Sequence, residues 1–217
     1  MRSKLVLSVV GALVTVAVIV VAVVWFFPVF KAQNFELNGA TQVTEEEVRE
    51  ASGIAEGGNL MRLDAHAAAE GVAILPWVKS ATVGRSLPST VQVDITEREA
   101  VAFLREGDGT HLIDSAGKEF VVAEPPEGAV EIDSDDKSSL VDAVEILAAL
   151  SQDQRTQVEK LSMDEKYSAT LHLTGGRTVV WGANDDNADK ARAFSTVLQM
   201  DGTQWNITNP ELVTKRD

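Results

Sequence analysis

Few side chains in this sequence have the type and spacing that a reactive site needs. The three histidines, His66, His111 and His172, fall in separate predicted elements. None has a second ligand at a spacing typical of metal centres, and the nearest pattern, Asp64-x-His66, is typical of a helix surface. Because such centres need several converging ligands, we predict neither a metal site nor a cofactor.

Acid–base and nucleophilic chemistry have equally little support. Asp114 could pass for a catalytic acid, but it opens the segment 114–117, where an aspartate ordinarily accepts the backbone hydrogen bonds that shape a turn. The sequence contains no cysteine, which excludes thiol catalysis. It also lacks the Gly-x-Ser-x-Gly and phosphate-loop patterns. We therefore predict that the protein is not an enzyme.

The charge of the chain limits its partners. Acidic residues outnumber basic ones by 33 to 19, and the formal net charge is −14. A surface of this sign repels polyanions, so we predict no binding to nucleic acid or to anionic lipid headgroups.

The elements that must position any site begin with an uncharged, apolar stretch over residues 5–27. About 20 such residues in a helix span roughly 30 Å, the thickness of the hydrocarbon core of a bilayer. Arg2 and Lys4 precede the stretch, so the positive-inside rule predicts a cytoplasmic tail over residues 1–4 and an extracytoplasmic body. A cleaved signal peptide and a buried core helix are the alternatives, but both favour a shorter stretch than this one.

Residues 30–98 have the pattern of a small α+β unit with the element order β-α-α-β-β. The clearest signal is Thr44-x-x-Glu47, whose two side chains predict the capping box of a helix. Alternating apolar residues predict the strands, and apolar residues at helical spacing predict the second helix. A three-stranded sheet with both helices on one face buries all of these stripes. The predicted elements cover residues 35–37, 45–52, 59–75, 78–85 and 91–97.

Residues 99–217 predict a mostly antiparallel β-domain with flanking helices. Turn signals such as Gly175-Gly176 separate the strand patterns. Helical stripes run over residues 139–150 and 187–200, and the last predicted strand covers residues 204–208. The predicted fold class is therefore α+β, with one transmembrane helix ahead of two folded units.

Several motifs, taken in order, resemble those of a known family. The order β-α-α-β-β just outside a predicted membrane anchor resembles a POTRA domain. Within it, segments 37–48, 57–64 and 75–93 resemble motifs of the FtsQ/DivIB cell-division family, and segment 97–102 continues the match. The similarity is specific over roughly residues 5–122 and is looser beyond, for example over residues 188–192.

The resemblance implies a non-enzymatic, single-pass protein of the bacterial cell membrane that acts at the division septum. In that family the β-domain binds the coiled-coil division proteins FtsB (DivIC in some lineages) and FtsL. The POTRA domain is associated with recruitment to the division site. By implication the chain is a scaffold of the divisome that links early and late division proteins and septal peptidoglycan synthesis.

We expect partner binding at the last predicted strand, because an open sheet edge can accept a strand from another chain. The alternative is that Trp205 and Ile207 are core residues and that residues 212–215 cover the edge. The predicted partner-binding residues are Trp205, Asn206, Ile207, Thr208, Asn209, Leu212 and Val213.

Two other classes of protein are left open. A polypeptide-transport component also uses POTRA domains, to receive substrate strands, but ordinarily carries several of them. A membrane-anchored cell-wall hydrolase needs a nucleophile–base pair or metal ligands, and the scattered histidines disfavour both.

Overall fold

The computed structural model describes residues 2–26, 29–165 and 168–216, and the chain divides into two compact units after Arg98. The first helix, α1, comprises Arg2–Phe26. No helix among the described residues has both the length and the apolar character needed to cross a membrane. Phe27, at the end of the predicted span, and Met1 and Asp217, at the ends of the predicted domains, lie outside the described residues.

The first unit contains the predicted order β-α-α-β-β. Its sheet has the strand order β1-β3-β2, in which β1 pairs parallel with β3 and β2 pairs antiparallel with it. Val48, Val72 and Val93 are fully buried between the helices and the sheet. The elements are β1 (Asn34–Asn38), α2 (Glu45–Ser52), a 3-10 helix (Leu60–Arg62), α3 (Ala65–Ala73), β2 (Val78–Ser86) and β3 (Thr90–Glu97).

The prediction of one continuous helix over residues 59–75 is wrong, because the chain is extended at Leu63 and Asp64. The Asp64 carboxylate accepts hydrogen bonds from the backbone N–H groups of His66 and Ala67, at 3.2 and 3.1 Å. An aspartate in this role ends one helical segment and starts another. The capping box of Thr44 and Glu47, by contrast, is present as predicted.

The second unit is built on one nine-stranded sheet. The strand order is β12-β11-β10-β9-β8-β7-β4-β5-β6, with five antiparallel pairings and three parallel ones. The strands are β4 (Ala100–Glu106), β5 (Gly109–Asp114), β6 (Glu119–Val122), β7 (Val130–Asp133), β8 (Val158–Glu165), β9 (Ser168–Leu173), β10 (Arg177–Gly182), β11 (Gln204–Asn206) and β12 (Thr214–Arg216).

The helices of this unit supply the rest of its core. They are α4 (Leu140–Ala149), α5 (Gln152–Arg155) and α6 (Asn187–Leu198), with a 3-10 turn over Lys137–Ser139. Leu147 of α4 and Phe194 of α6 are almost completely buried against sheet residues such as Trp181. Trp181 of β10 and Trp205 of β11 also belong to this core. The core therefore fixes these two strands at one end of the sheet, where β12 pairs with β11.

Asp114 has the structural role that the sequence predicts. Its carboxylate accepts the N–H groups of Ala116 and Lys118 at 2.9 and 3.0 Å, and the side chain is buried. A carboxylate held by the turn in this way is a poor candidate for a catalytic acid.

Candidate functional site

The candidate site is the end of the nine-stranded sheet formed by β11 and β12. β11 pairs parallel with β10 through Val179 and Trp205, and antiparallel with β12 through Trp205 and Lys215. The expectation that β11 is itself the free edge is therefore wrong, because residues 214–216 extend the sheet by one strand. Among the described strands, none pairs with the outer side of β12.

The predicted binding residues separate into buried and exposed groups. Trp205 is 5% exposed and Ile207 is fully buried, and both belong to the core of the unit. The backbone N–H of Ile207 also donates to the carbonyl of Val180 at 2.9 Å. These two side chains hold the edge in place and are inaccessible to a partner, as the alternative reading proposed.

Asn206, Thr208, Asn209 and Leu212 are exposed and surround the turn between the two strands. The Asn206 and Asn209 side-chain oxygens accept the N–H groups of Thr208 and Glu211, at 2.9 and 3.0 Å. Such short-range bonds fix the turn without long-range contacts. Leu212, at 66% exposure, presents an apolar side chain to solvent next to β12.

A groove of about 550 Å³ lies between α6 and this turn, and we call it the C-terminal groove. Val213 provides an apolar surface at its floor and packs against the core. Asp186 and Glu211 contribute carboxylates, while Asp189 forms an ion pair with Arg192. The groove therefore continues the predicted site and carries net negative charge. Its lining comprises Asp186, Asp189, Arg192, Ala193, Thr196, Asn209, Pro210, Glu211 and Val213.

Arg177, on β10, anchors the end of α6 beside the site. Its guanidinium donates to the carbonyls of Val197 at 2.7 Å, Met200 at 3.0 Å and Gly202 at 3.0 Å. The final carbonyls of a helix lack intrahelical partners, so an arginine in this position satisfies several of them together.

The loop before α6 is held by a buried cation. Lys190 is completely buried, and its ammonium group donates to the carbonyl of Ala183 at 2.9 Å and pairs with Asp185. Asn187 accepts the indole N–H of Trp181 at 2.9 Å, and Asp186 occupies the cap position of α6. Gly182, with φ +83°, allows Thr208 to approach the end of β10 closely.

A second group of polar residues lies at the β4–β5 hairpin. Potential ligand atoms of Glu106, Asp108 and His111 lie within 4.8 Å of one another, so His111 does have the neighbouring ligands that its sequence spacing did not predict. Lys137 already pairs with Glu106 at 2.7 Å and with Glu119 at 2.9 Å. The carboxylates of this cluster thus have cationic partners within the protein.

The hairpin cluster predicts a pH effect on stability. A hydrogen bond with Asp108, at 2.9 Å, raises the pKa of His111 above its ordinary value of 6.5. The resulting stabilisation is fully present below pH 6.5 and is lost as the pH rises through the folded-state pKa.

We therefore expect the unfolding free energy of His111→Gln to lack the decline that the parent chain shows above pH 6.5. Urea unfolding of both chains across this pH range measures the difference. His66→Gln is the matched control, since His66 is exposed and lies in the first unit. Identical pH profiles for the parent chain and His111→Gln would contradict the assignment.

A serine–histidine contact bears on the hydrolase alternative. The Ser162 hydroxyl and the Nε2 atom of His172 lie 2.9 Å apart on neighbouring strands, but Ser162 is only 5% exposed. No carboxylate contacts His172 among the ion pairs of the described residues. The pair lacks the access and the orienting acid that a hydrolytic site requires.

Comparison with known proteins identifies the family. A family model for the POTRA domain, FtsQ-type, matches residues 30–98, and one for the C-terminal part of the cell division protein FtsQ/DivIB matches residues 102–213. The chain belongs to the FtsQ/DivIB cell division family. β11 and the lining of the C-terminal groove lie within the FtsQ/DivIB C-terminal match, and β12 follows it directly in the chain.

Relatives support the same assignment over the whole chain. The cell division protein FtsQ of Corynebacterium glutamicum is 39% identical over 222 residues and is covered completely, as is this chain. FtsQ of Mycolicibacterium smegmatis is 33% identical over 209 residues, which are 94% of this chain and 63% of that protein. This chain therefore spans less than two thirds of the mycobacterial protein.

A solved structure also has partial similarity to this FtsQ/DivIB chain. It is the major extracytoplasmic domain of the trans isomer of DivIB from Geobacillus stearothermophilus. The match covers 48% of this chain and 96% of that one, at 14% identity and a TM-score of 0.38.

Sequence reasoning missed the residues that complete the site of this FtsQ/DivIB chain. Residues 214–216 form β12, but three residues are too few for an alternating pattern to be recognised. The role of Arg177 was not predicted, because its partners are backbone carbonyls that only the fold brings near. The burial of Lys190 was not predicted either, although its partners Ala183 and Asp185 are close to it in the chain. The acidic lining of the C-terminal groove combines α6 with a turn that follows it in the chain.

Proposed function

We propose that this chain is a non-enzymatic scaffold of the divisome that binds FtsB/DivIC-like and FtsL-like coiled-coil division proteins at the β12 end of its second unit. The observation that carries the proposal is the position of β12 at the end of the sheet, beside exposed Leu212 and the C-terminal groove. A partner segment that pairs with an edge strand gains main-chain hydrogen bonds, and side-chain contacts add specificity.

The charges beside the edge favour a particular kind of segment. Asp186 and Glu211 line the groove, whereas Arg192, the cation among the lining residues, is paired with Asp189. An extended segment with an apolar side chain for Leu212 and Val213 and basic residues beside it complements this surface. Charge complementarity of this kind raises specificity and association rate more than affinity.

The proposed topology is a single-pass protein with residues 1–4 in the cytoplasm. It is supported by the uncharged stretch over residues 5–27 and by Arg2 and Lys4 ahead of it. In this arrangement both folded units lie outside the cytoplasm at the division septum. There the scaffold links early and late division proteins and septal peptidoglycan synthesis by binding alone.

We expect Leu212→Asp to weaken capture of the partner by about tenfold or more, because a carboxylate replaces the most exposed apolar side chain at the edge. Pull-down of tagged full-length protein from crosslinked membranes, with the retained division proteins identified by mass spectrometry, measures this effect.

Leu87→Asp is the matched control. Leu87 is also an exposed leucine, at 56%, but it lies in the turn between β2 and β3 of the first unit. The proposal requires Leu87→Asp to capture the same proteins as the parent chain. Equal capture by Leu212→Asp, with an unchanged circular dichroism spectrum, would contradict binding at this edge.

A further inference from the structure

Two adjoining grooves in the first unit have no part in the site described above. One, of about 360 Å³, has an apolar lining that includes Ile54, Leu60 and Val91, and we call it the apolar groove. The other, of about 510 Å³, is lined by Arg62 and Arg85 among others, and we call it the basic groove. Arg62, Leu63 and Asp64 line both, so the two grooves meet at this segment.

The basic groove carries two arginines and one carboxylate, that of Asp64, among its lining residues. Arg62 and Arg85 are both exposed, and neither takes part in an ion pair among the described residues. Arg85 donates one hydrogen bond, to the carbonyl of Leu63 at 2.6 Å, which directs its guanidinium toward this segment. The Oδ1 atom of Asp64 accepts two N–H groups at the start of α3, so this side chain is turned toward the helix.

Backbone contacts place both grooves close to the residues that follow α1. The N–H of Leu60 donates to the carbonyl of Phe30 at 2.9 Å, and Lys31 forms a bridge with Asn59. The 3-10 helix that carries Arg62 is therefore tied directly to the residues that follow α1. With residues 5–27 as the proposed anchor, both grooves lie next to the outer surface of the bilayer.

We propose that the two grooves together bind a phosphate-bearing anionic lipid of the membrane. The phosphate contacts Arg62 and Arg85, since guanidinium groups donate paired hydrogen bonds to phosphate oxygens. Part of an acyl chain lies against Ile54 and Leu63 in the apolar groove. The site rests on the proposed membrane anchor. It departs from the prediction that a net charge of −14 excludes anionic headgroups, because the two arginines of the basic groove give this part of the surface a different charge from the chain as a whole.

The test uses the full-length chain in detergent, with bound lipid counted by native mass spectrometry. Phosphatidylglycerol, phosphatidylcholine and inorganic phosphate are the probes. The parent chain is expected to retain phosphatidylglycerol in preference to phosphatidylcholine. In Arg62→Gln/Arg85→Gln the apparent affinity for phosphatidylglycerol is expected to fall by roughly twenty- to thirtyfold, about fivefold for each arginine.

Arg49→Gln/Arg105→Gln removes the same charge from sites that line neither groove and is expected to retain lipid like the parent chain. Equal losses in both double variants, or a loss in neither, would overturn the site. Ala55→Trp fills the apolar groove from an exposed position and is expected to weaken lipid retention as well. Unchanged retention by Ala55→Trp, with displacement of lipid by inorganic phosphate, would instead assign a free phosphate ligand and overturn the lipid.

The failure of this inference can be told apart from failure of the proposed function. If alkaline carbonate extracts the full-length chain from membranes, the anchor is wrong and both proposals lose their topology. If the chain resists extraction but the arginine variants retain lipid normally, only the lipid site is wrong. Partner capture is expected to be unaffected by Arg62→Gln/Arg85→Gln, because both arginines lie in the first unit.

Discussion

Trp181→Ala is expected to lower the unfolding free energy of the second unit by about 3–5 kcal/mol, the usual cost of truncating a buried tryptophan. Trp181 is completely buried on β10, directly ahead of Gly182 and the loop that leads to α6. Its indole N–H donates to Asn187 at 2.9 Å, so the variant also leaves a half-buried acceptor without this partner. Since β10 pairs with β11, the loss extends to the proposed binding edge.

Hydrogen exchange of the β9, β10 and β11 amides measures this effect within the full-length chain. Trp181→Phe is the control: it keeps most of the buried volume and loses the hydrogen bond, so we expect a cost of about 1–2 kcal/mol. Exchange rates in Trp181→Ala equal to those of the parent chain would show that Trp181 does not support the edge.

Gly39→Ala is expected to destabilise the first unit by roughly 2–5 kcal/mol, the sum of a positive-φ cost and a steric one. Gly39 has φ +80°, and a Cβ atom at this position would lie 2.0 Å from the carbonyl oxygen of Ile95. Ile95 belongs to β3, the central strand, so the backbone cannot move away without breaking the sheet.

Gly53→Ala separates the two contributions. Gly53 also has a positive φ, +64°, but nothing lies within 4 Å of the added Cβ atom. This variant therefore carries only the conformational cost of about 1–2 kcal/mol. Urea unfolding followed by circular dichroism compares the two variants, and equal costs would mean that the contact with Ile95 is relaxed in solution.

Local interactions account for the parts of the fold that the sequence could predict. The capping box of Thr44 and Glu47 and the turn at Asp114 involve residues within a few positions of one another, so their patterns are visible in the sequence. The alternating strands β3 and β9 likewise show their burial in every second residue. The resemblance to the FtsQ/DivIB family further predicted that a POTRA domain precedes a β-domain.

Non-local pairing accounts for what the sequence did not predict. β7 pairs with β4 and β8, which are far from it in the chain, and its four residues follow a proline-rich loop with no clear periodicity. A Cβ atom at Gly71 of α3 would lie 2.2 Å from the carbonyl oxygen of Ala51 on α2, so this glycine permits a close approach of the two helices. Which surface a small residue approaches depends on how elements pack, and this is absent from the local pattern.

The candidate site shows the same division. Trp205 was correctly placed on a strand, whereas the strand ends at Asn206 and Ile207 follows it. Apolar residues in such a segment serve a core as well as an interface. Both side chains are buried in the core of the unit, and β12 pairs with the backbone edge of β11. The proposed partner binding depends on the predicted residues that are exposed, such as Asn209 and Leu212. It also depends on the acidic C-terminal groove, which was not predicted.

The order of strands has a consequence for when the protein becomes competent to bind. From β7 onward the sheet grows outward in chain order, and β12 is the latest of its described strands. During synthesis from the N-terminal end, every earlier strand can assemble before the proposed binding edge exists. A chain that is cut short therefore lacks this edge, and under the proposed function only finished molecules compete for division partners.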